Sequence, residues 1–285
     1  MADCAMLNIG CGATHHPSWV NIDMAPPTLG VRYVNILKGL PFADNSFSYA
    51  YSSHVLEHLT PVDADKFLLE CRRVLAPNGI LRLVVPDLEG IAREYIRLLD
   101  AVGAGDQTEE SRLRWIVLEL LDQMVRERPG GDMGKMLRQI AANDRPYVRS
   151  RLGQEAEAFW SAKENHPHAS QHSLAAHVRR LGKLVSNCRE NVAEIAVRLI
   201  AGRNGVECYK IGRFRMSGEV HRWMYDRHSL GQKLRRVGFS DVVIRPASES
   251  RIPNFSTYAL DEVNGETRKP DSMFIEAVKI GYLTP

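Results

Sequence analysis

Between residues 7 and 24 the chain reads LNIGCGATHHPSWVNIDM. This is a strand-like apolar run, two glycines one residue apart, and a second apolar run that ends on Asp23. No other segment narrows the fold as much. Glycines at a strand end let the backbone turn sharply and let a ligand approach closely. An acid at the end of the next strand can accept both hydroxyl hydrogens of a ribose. The dinucleotide fingerprint wants a third glycine and an acid about 20 residues further on. Here Thr14 stands where another glycine would, and Asp23 follows Gly12 by only 11 positions. A pyrophosphate is therefore a poor match. An adenosine cofactor without phosphate needs no anion cradle, so a shorter and less glycine-rich turn suffices.

The next segments repeat the theme. WVNID, VRYVNI, SFSYAYSS and ILRLVVPD each read as strands. PVDADKFLLECRRVLAPNG reads as a helix with Pro61 in its first turn, apolar Phe67, Leu68, Cys71, Val74 and Leu75 at helical spacing, and Asn78-Gly79 at its end. Strands joined by crossovers predict an α/β fold with a mostly parallel sheet. One link is awkward: CGATHHPSW allows little more than one helical turn, where parallel strands ordinarily take a crossover of about a dozen residues.

From about residue 90 to 210 the strand signal stops. Leu113, Val117, Leu120 and Met124 form one stripe. Leu174, Val178, Leu181, Val185, Cys188, Val192, Ile195 and Leu199 step alternately by four and three, a heptad seam over more than three heptads. The plainer reading is a long helix packed on a neighbour in the same chain; a homodimer contact is the sharper one. RPGGDMG, residues 128–134, divides the region. The α/β pattern returns with DRHSLGQKLRRVGF, SDVVIRPA and SMFIEAVKI. The predicted organisation is a sheet domain made of residues 1–90 and 211–285, with residues 91–210 as a helical insertion.

Composition excludes little and directs little. A formal charge of +3 does not imply nucleic acid, although residues 161–215 hold ten Lys and Arg against four Asp and Glu. Five cysteines (Cys4, Cys11, Cys71, Cys188 and Cys208) form no CxxC pair, and their odd number argues against a disulfide framework. No leader pattern opens the sequence, and no run approaches the roughly 20 apolar residues of a membrane span. The expectation is a cytoplasmic protein without a membrane or nucleic-acid partner.

Three stretches together, LNIGCG…WVNIDM, GLPFADNSFSYAYSSHVLEHL and CRRVLAPNGILRLVVPDLEG, resemble the class I S-adenosylmethionine (SAM)-dependent methyltransferases, in particular the type 11 group and its branch with an abbreviated first helix. The similarity spans roughly residues 6 to 90 and resumes, more weakly, at FRMSGEVHRWMYD and the final strands. It implies a Rossmann-like sheet, mostly parallel with the last strand antiparallel, and SAM as methyl donor. It also implies that Gly10, Cys11 and Gly12 lie under the methionine part of SAM, that Asp23 binds the ribose with Met24 beside the adenine, and that Asn35 and Ile36 lie near the adenine. Asn8 and Asn35 stand where such enzymes often carry acids; strand-end or turn capping is the competing account of both.

SSHVLEHL, residues 52–59, follows the fourth strand and so sits at the carboxyl edge of the sheet, where open α/β sheets bind ligands. Ser52, Ser53 and His54 are thereby placed near the cofactor's methionine moiety or its methyl group, the two serines as cofactor-binding residues. If a helix follows, His54, Glu57 and His58 share one face. That spacing could bind a metal, but the HExxH order is absent and nothing in the sequence completes a ligand set; the resemblance implies that Glu57 and His58 are hydrogen-bonding supports of the loop, and no metal is expected. For proton removal the candidates are His54 and His221, the latter crowded by Glu219, Arg222, Trp223 and Tyr225. The alternative for His221 is a packing role. Asp87, at the end of VVPD, is a further strand-edge candidate for orienting an acceptor or a histidine. Arg213, Arg215 and Arg222 suggest an acceptor with a carboxylate or phosphate. His166, His168, His172 and His177 cluster without thiolate or carboxylate at diagnostic spacing, and His15 and His16 sit in the cofactor turn.

The function expected is methyl transfer from SAM to an O-, N- or S-nucleophile of a small, polar or anionic molecule, with the insertion as lid and acceptor pocket. The alternatives are a dimeric SAM-binding interaction protein and a methyltransferase acting on RNA or protein.

Overall fold

The structure, a computed structural model, describes residues 5–164 and 174–281; of 162–164 and 174–189 only the backbone is described. Among the described residues nine strands occur in chain order: β1 (Met6–Ile9), β2 (Val20–Asp23), β3 (Arg32–Tyr33), β4 (Phe47–Ser53), β5 (Leu75–Pro86), β6 (Phe239–Arg245), β7 (Glu262–Val263), β8 (Glu266–Thr267) and β9 (Ser272–Lys279). Seven of them make one sheet in the order β3-β2-β1-β4-β5-β9-β6, while β7 and β8 form a separate ribbon. The first five strands of the sheet run parallel, with Leu7 opposite Val20 and Ala50. β9 is antiparallel to both β5 and β6. This is the mostly parallel, Rossmann-like sheet the sequence predicts, and its strand order reverses between β1 and β4, where such sheets open a ligand crevice.

Alternation along the strands divides the core. Leu81, Leu83, Val85, Ile275 and Ala277 face α1 (Pro61–Val74) and α8 (Arg227–Arg236), which contribute Phe67, Leu68, Cys71, Leu230 and Leu234. Thr60 caps α1, its hydroxyl accepting from the Asp63 amide, and Pro61 fills the first turn. The helix ends at Val74, earlier than the predicted Asn78-Gly79. Pro77 lacks an N–H and drives Ala76 out of the helical region, so the chain passes straight into β5.

On the opposite face the ten residues between β1 and β2 form turns and no helix. Helix cover is missing there, and apolar side chains from elsewhere replace it. Trp19 packs edge-on to Tyr51, Phe255 and Tyr258, and Leu260 and Phe274 complete the layer. Most of that cover comes from the long connection between β6 and β9. Beneath it lies Arg82, wholly buried, bonded to Asp261 and Glu276.

Among the described residues, the α-helices α2 (Leu88–Gly103), α3 (Glu110–Val125), α4 (Gly131–Gln139), α5 (Arg145–Leu152), α6 (Gln154–Glu164) and α7 (Leu174–Arg215) lie between β5 and the second half of the sheet. The predicted stripe on α3 is only one of its buried sides. Leu113, Leu120 and Met124 pack against α2, while Trp115 enters a second core with Met133, Leu137 and Val148. Gly130 and Gly131 take positive φ before α4, and a Cβ on Gly131 would lie 2.3 Å from Asp122 Oδ2. α7 is a hairpin rather than one rod: Gly202 adopts φ 69°, and the halves are tied by Glu190–Arg213 and Glu194–Lys210. The predicted seam therefore sits on one arm, where Val192, Ile195 and Leu199 are exposed rather than packed. Its earlier positions, like the His166, His168, His172 and His177 side chains, lie outside the described residues. No helix among the described residues is long and apolar enough to cross a membrane.

Candidate cofactor and acceptor site

The turn after β1 is drawn back onto β2. The Gly10 and Cys11 amides both donate to the Ile22 carbonyl, at 2.8 and 3.2 Å. Gly10 has φ +66°, and a Cβ there would lie 2.3 Å from Val55 Cγ2, so this position requires glycine. Gly12 also has positive φ, but a Cβ there would meet nothing within 4 Å; it borders open space. Asp23 fixes the turn: Oδ2 accepts from the Gly12 amide at 2.8 Å and Oδ1 from the Ala25 amide at 2.7 Å. Each carboxylate oxygen retains a second lone pair for a hydroxyl.

Two clefts meet at Gly10 and His54. The first, about 430 Å³, has Asp23, Met24, Val34, Ile36 and Leu37 on one wall and His58, Met216 and Arg222 on the other. The second, about 330 Å³, is bordered by Asn8, Cys11, Gly12, Ser53 and Tyr51, and by Glu155 and Lys269 from beyond the sheet. An apolar slot beside a carboxylate suits adenosine. A glycine edge where a Cβ would project into free space suits the methionine end. The residues present therefore fit SAM. Burial, with the Asp23 charge behind it, pushes the Cys11 thiol up to about 11, so it stays a neutral thiol.

The other predicted residues divide. Asn8 is buried; its amide donates to Thr14 O and Asn21 Oδ1, and its own Oδ1 has no partner. Ser53 reaches the second cleft, whereas Ser52 is buried and ties β4 to β1 through Ile9 O at 3.0 Å. Asn35 caps the short turn Ile36–Lys38 by accepting from Leu37 N, and lines a separate groove with Tyr33 and Glu70. Asp87 caps α2, accepting from Glu89 N at 3.1 Å, and lines neither cleft. His16 packs edge-on to Tyr258 with centroids 5.1 Å apart and accepts a hydrogen bond from Ser18 N. Arg213 is committed to Glu190 and Arg215 to the carbonyls of Met124 and Val125, so of the three arginines Arg222 alone faces a cleft.

After β4 the chain makes a 3-10 turn, Leu56–His58, in place of the helix expected there. His54 stands at φ +53°, a left-handed conformation strained for any residue with a Cβ. Its Nε2 lies 2.8 Å from Ser272 Oγ and its Nδ1 3.1 Å from Glu57 Oε1. Glu57 is fully buried. Burial alone would raise its carboxyl, but the facing imidazoles, His54 first, outweigh that and hold it at about 2.

His221 comes to the same place from the far end of the chain. The Arg222 and Trp223 amides donate to the Glu57 carbonyl at 2.6 and 3.2 Å, and the His221 amide to Gln123 O. The ring packs edge-on to His58 with centroids 4.8 Å apart. Burial pushes His221 down to about 3 and lowers His58 as well, leaving both rings neutral. His221 is 4% exposed and lines neither cleft, so it is not open to an acceptor as expected.

Sequence reasoning also missed Glu155, Asp261, Arg268 and Lys269 around the second cleft, where Lys269 and Glu155 are paired at 2.7 Å. These arrive from α6 and from the connection before β9, and no spacing in the sequence links them to the glycine turn.

Residues 7–83 match the family model described as a methyltransferase domain, type 11. A protein of Aspergillus luteorubrus named probable methyltransferase ltbC is 48% identical over 48 residues, which is 16% of this chain and 17% of that protein. Among solved structures, a SAM-dependent methyltransferase from Thermotoga maritima aligns over 96% of this chain and 82% of its own, at 11% identity and a TM-score of 0.37. YcgJ from Bacillus subtilis aligns over 35% and 52%, at 23% identity and a TM-score of 0.26. The family match covers the strands that carry Gly10, Asp23 and His54. Residues 7–83 thus match a methyltransferase domain, and the methyl donor this implies is SAM.

Proposed function

We propose that this protein transfers a methyl group from SAM to a small, polar or anionic acceptor that attacks through oxygen, nitrogen or sulfur. The observation that carries the reading is the junction of the two clefts at Gly10 and His54, one walled for an adenosine and the other lined by charged groups of the helical region and the β6–β9 connection. When bound, SAM supplies an electrophilic methyl on a sulfonium sulfur. Gly10, Gly12 and Asp23 would hold it, with Met24 and Ile36 against the adenine.

The remaining work belongs to the chain. Arg268 attracts an acceptor anion to the second cleft, and the Lys269–Glu155 pair brings α6 against its wall. Insertion helices in this position exclude water and set acceptor size. His54 touches both clefts and is the base placed to take a proton from a hydroxyl or ammonium acceptor. Glu57 holds its Nδ1 side, as an orienting carboxylate does. His221 is a positioning residue here, because it reaches neither cleft.

Incubation with labelled SAM and a metabolite extract tests the class: label moves to a small compound, and tight SAM binding with no transfer to any extract component refutes it. His54→Gln should then lower turnover at least about 100-fold for a hydroxyl or ammonium acceptor, with SAM affinity kept. Full turnover would point to a thioether, which needs no base.

A homodimer is a second reading, supported by exposed Val192, Ile195 and Leu199 on one arm of α7. Solution mass before and after Val192→Asp tests it; a monomer throughout removes it. Cys11, Cys71 and Cys208 are free thiols, which supports a cytoplasmic setting.

A further inference from the structure

Glu57, His58 and His221 each direct one ligand atom into a common space, and these atoms all lie within 4.8 Å of one another. The cluster is short of partners. Glu57 Oε2, His58 Nδ1 and His221 Nδ1 have no hydrogen-bond partner, and Glu57 Oε1 meets only the His54 ring. Glu57 is fully buried and His221 nearly so. Buried polar atoms almost always find partners, and one left over needs an explanation. Each of the three converging residues carries such an atom. A carboxylate and two imidazoles that approach this closely can be satisfied together by a cation.

We propose that Glu57, His58 and His221 form a binding site for one divalent transition-metal ion beside the methyl-transfer cleft. Two imidazoles and a carboxylate are a donor set suited to zinc, iron or cobalt, whereas magnesium and calcium prefer oxygen alone. Bonds of about 2.1 Å place ligand atoms roughly 3.4 Å apart, so the side chains draw inward by about 1 Å on binding. The surroundings hold the ligands ready. His54 occupies Oε1 of Glu57 and leaves Oε2 for the ion, an outer partner of the kind that orients metal carboxylates. The two amides donated to the Glu57 carbonyl pin the His221 segment against the turn. Arg126, a cation whose charge reaches His221, is engaged by Glu219.

Three protein ligands leave open positions, and His58 forms part of the first cleft's wall with Met216, Ser217, Gly218 and Arg222. An open position there faces the first cleft, so, resting on the methyltransferase reading, the ion braces the wall of the cofactor slot.

The test uses the full chain, stripped with a chelator and dialysed. Titration with Co²⁺ should give visible bands of a low-symmetry site that saturate at one ion per chain, Zn²⁺ should erase them, and Zn²⁺ should raise the melting temperature. Glu57→Gln and His221→Gln should each weaken binding at least 100-fold with the circular dichroism spectrum retained; His58→Gln, at a partly exposed position, serves if either fails to fold. Absence of bands and of a melting shift overturns the proposal. So does binding unchanged in these variants, which would place the ion elsewhere, as on the histidines of 166–177. SAM binding is measured on the same samples. Loss of SAM binding alone refutes the cofactor reading and leaves the metal site standing.

Discussion

Two of the buried charged clusters among the described residues have been finished differently. Around Arg82 every donor is used: Nε meets Asp261, Nη1 meets Glu276 and the Glu249 carbonyl, and Nη2 meets the carbonyls of Pro246 and Ala247. The acids are equally occupied, Asp261 by Tyr51 and Glu276 by Ser250 and Arg251. Around Glu57 the reverse holds, with oxygens and ring nitrogens left over. Burying charge is costly in both places. The first network offsets that cost within the chain and so acts as a fastening between β5, β9 and the β6–β9 connection. The second does not, and a cluster that stays incomplete is kept for something that arrives from outside.

This contrast predicts opposite outcomes for similar substitutions. The largest effect on folding should come from Arg82→Met, which strands Asp261 and Glu276 in the interior; denaturant titration should show a loss of about 3–5 kcal/mol. Glu57→Gln should cost the metal-free protein no more than about 1 kcal/mol, because few bonds are lost. Equal losses for the two would break the comparison. Next in size is Gly10→Ala, where positive φ and the Val55 contact oppose a methyl group; a loss of about 1–3 kcal/mol and at least tenfold weaker SAM binding by calorimetry are expected. Asp23→Asn should weaken SAM about tenfold to 100-fold, from the loss of charge-assisted bonds of about 1.5–3 kcal/mol, with little change in melting. Smallest is Arg213→Ala on the α7 hairpin: its pair with Glu190 is exposed, so the expected change is below about 1 kcal/mol.

The parts readable from sequence were those whose residues act within one local stretch. The glycine turn, Asp23, the strand periodicities and the helix from Pro61 all depend on neighbours, and the sheet follows from them. The rest depended on distant partners. His221 gains its meaning only when the helical region returns the chain to the 54–58 turn, which no spacing encodes. The Lys269–Glu155 pair has the same origin. Arg82 looked like an ordinary strand residue, because its partners come from the last strand and the loops around it. The seam on α7 misled in another way: Gly202 reads as a tolerated helix glycine, yet it bends the helix into a hairpin and turns Val192, Ile195 and Leu199 outward.

The missing helix between β1 and β2 has a consequence in time. The sheet face that helix would cover is closed by Phe255, Tyr258 and Leu260, which leave the ribosome well after the strands they protect. The stretch from 7 to 83 that matches the family is therefore not a folding unit. Until the late segment docks, Trp19, Tyr51 and Arg82 stand bare on a half-made sheet. Non-local pairings of this kind slow folding and expose the chain to aggregation. A fragment ending near residue 90 should collect in inclusion bodies, and co-expression of the C-terminal half should be what rescues it.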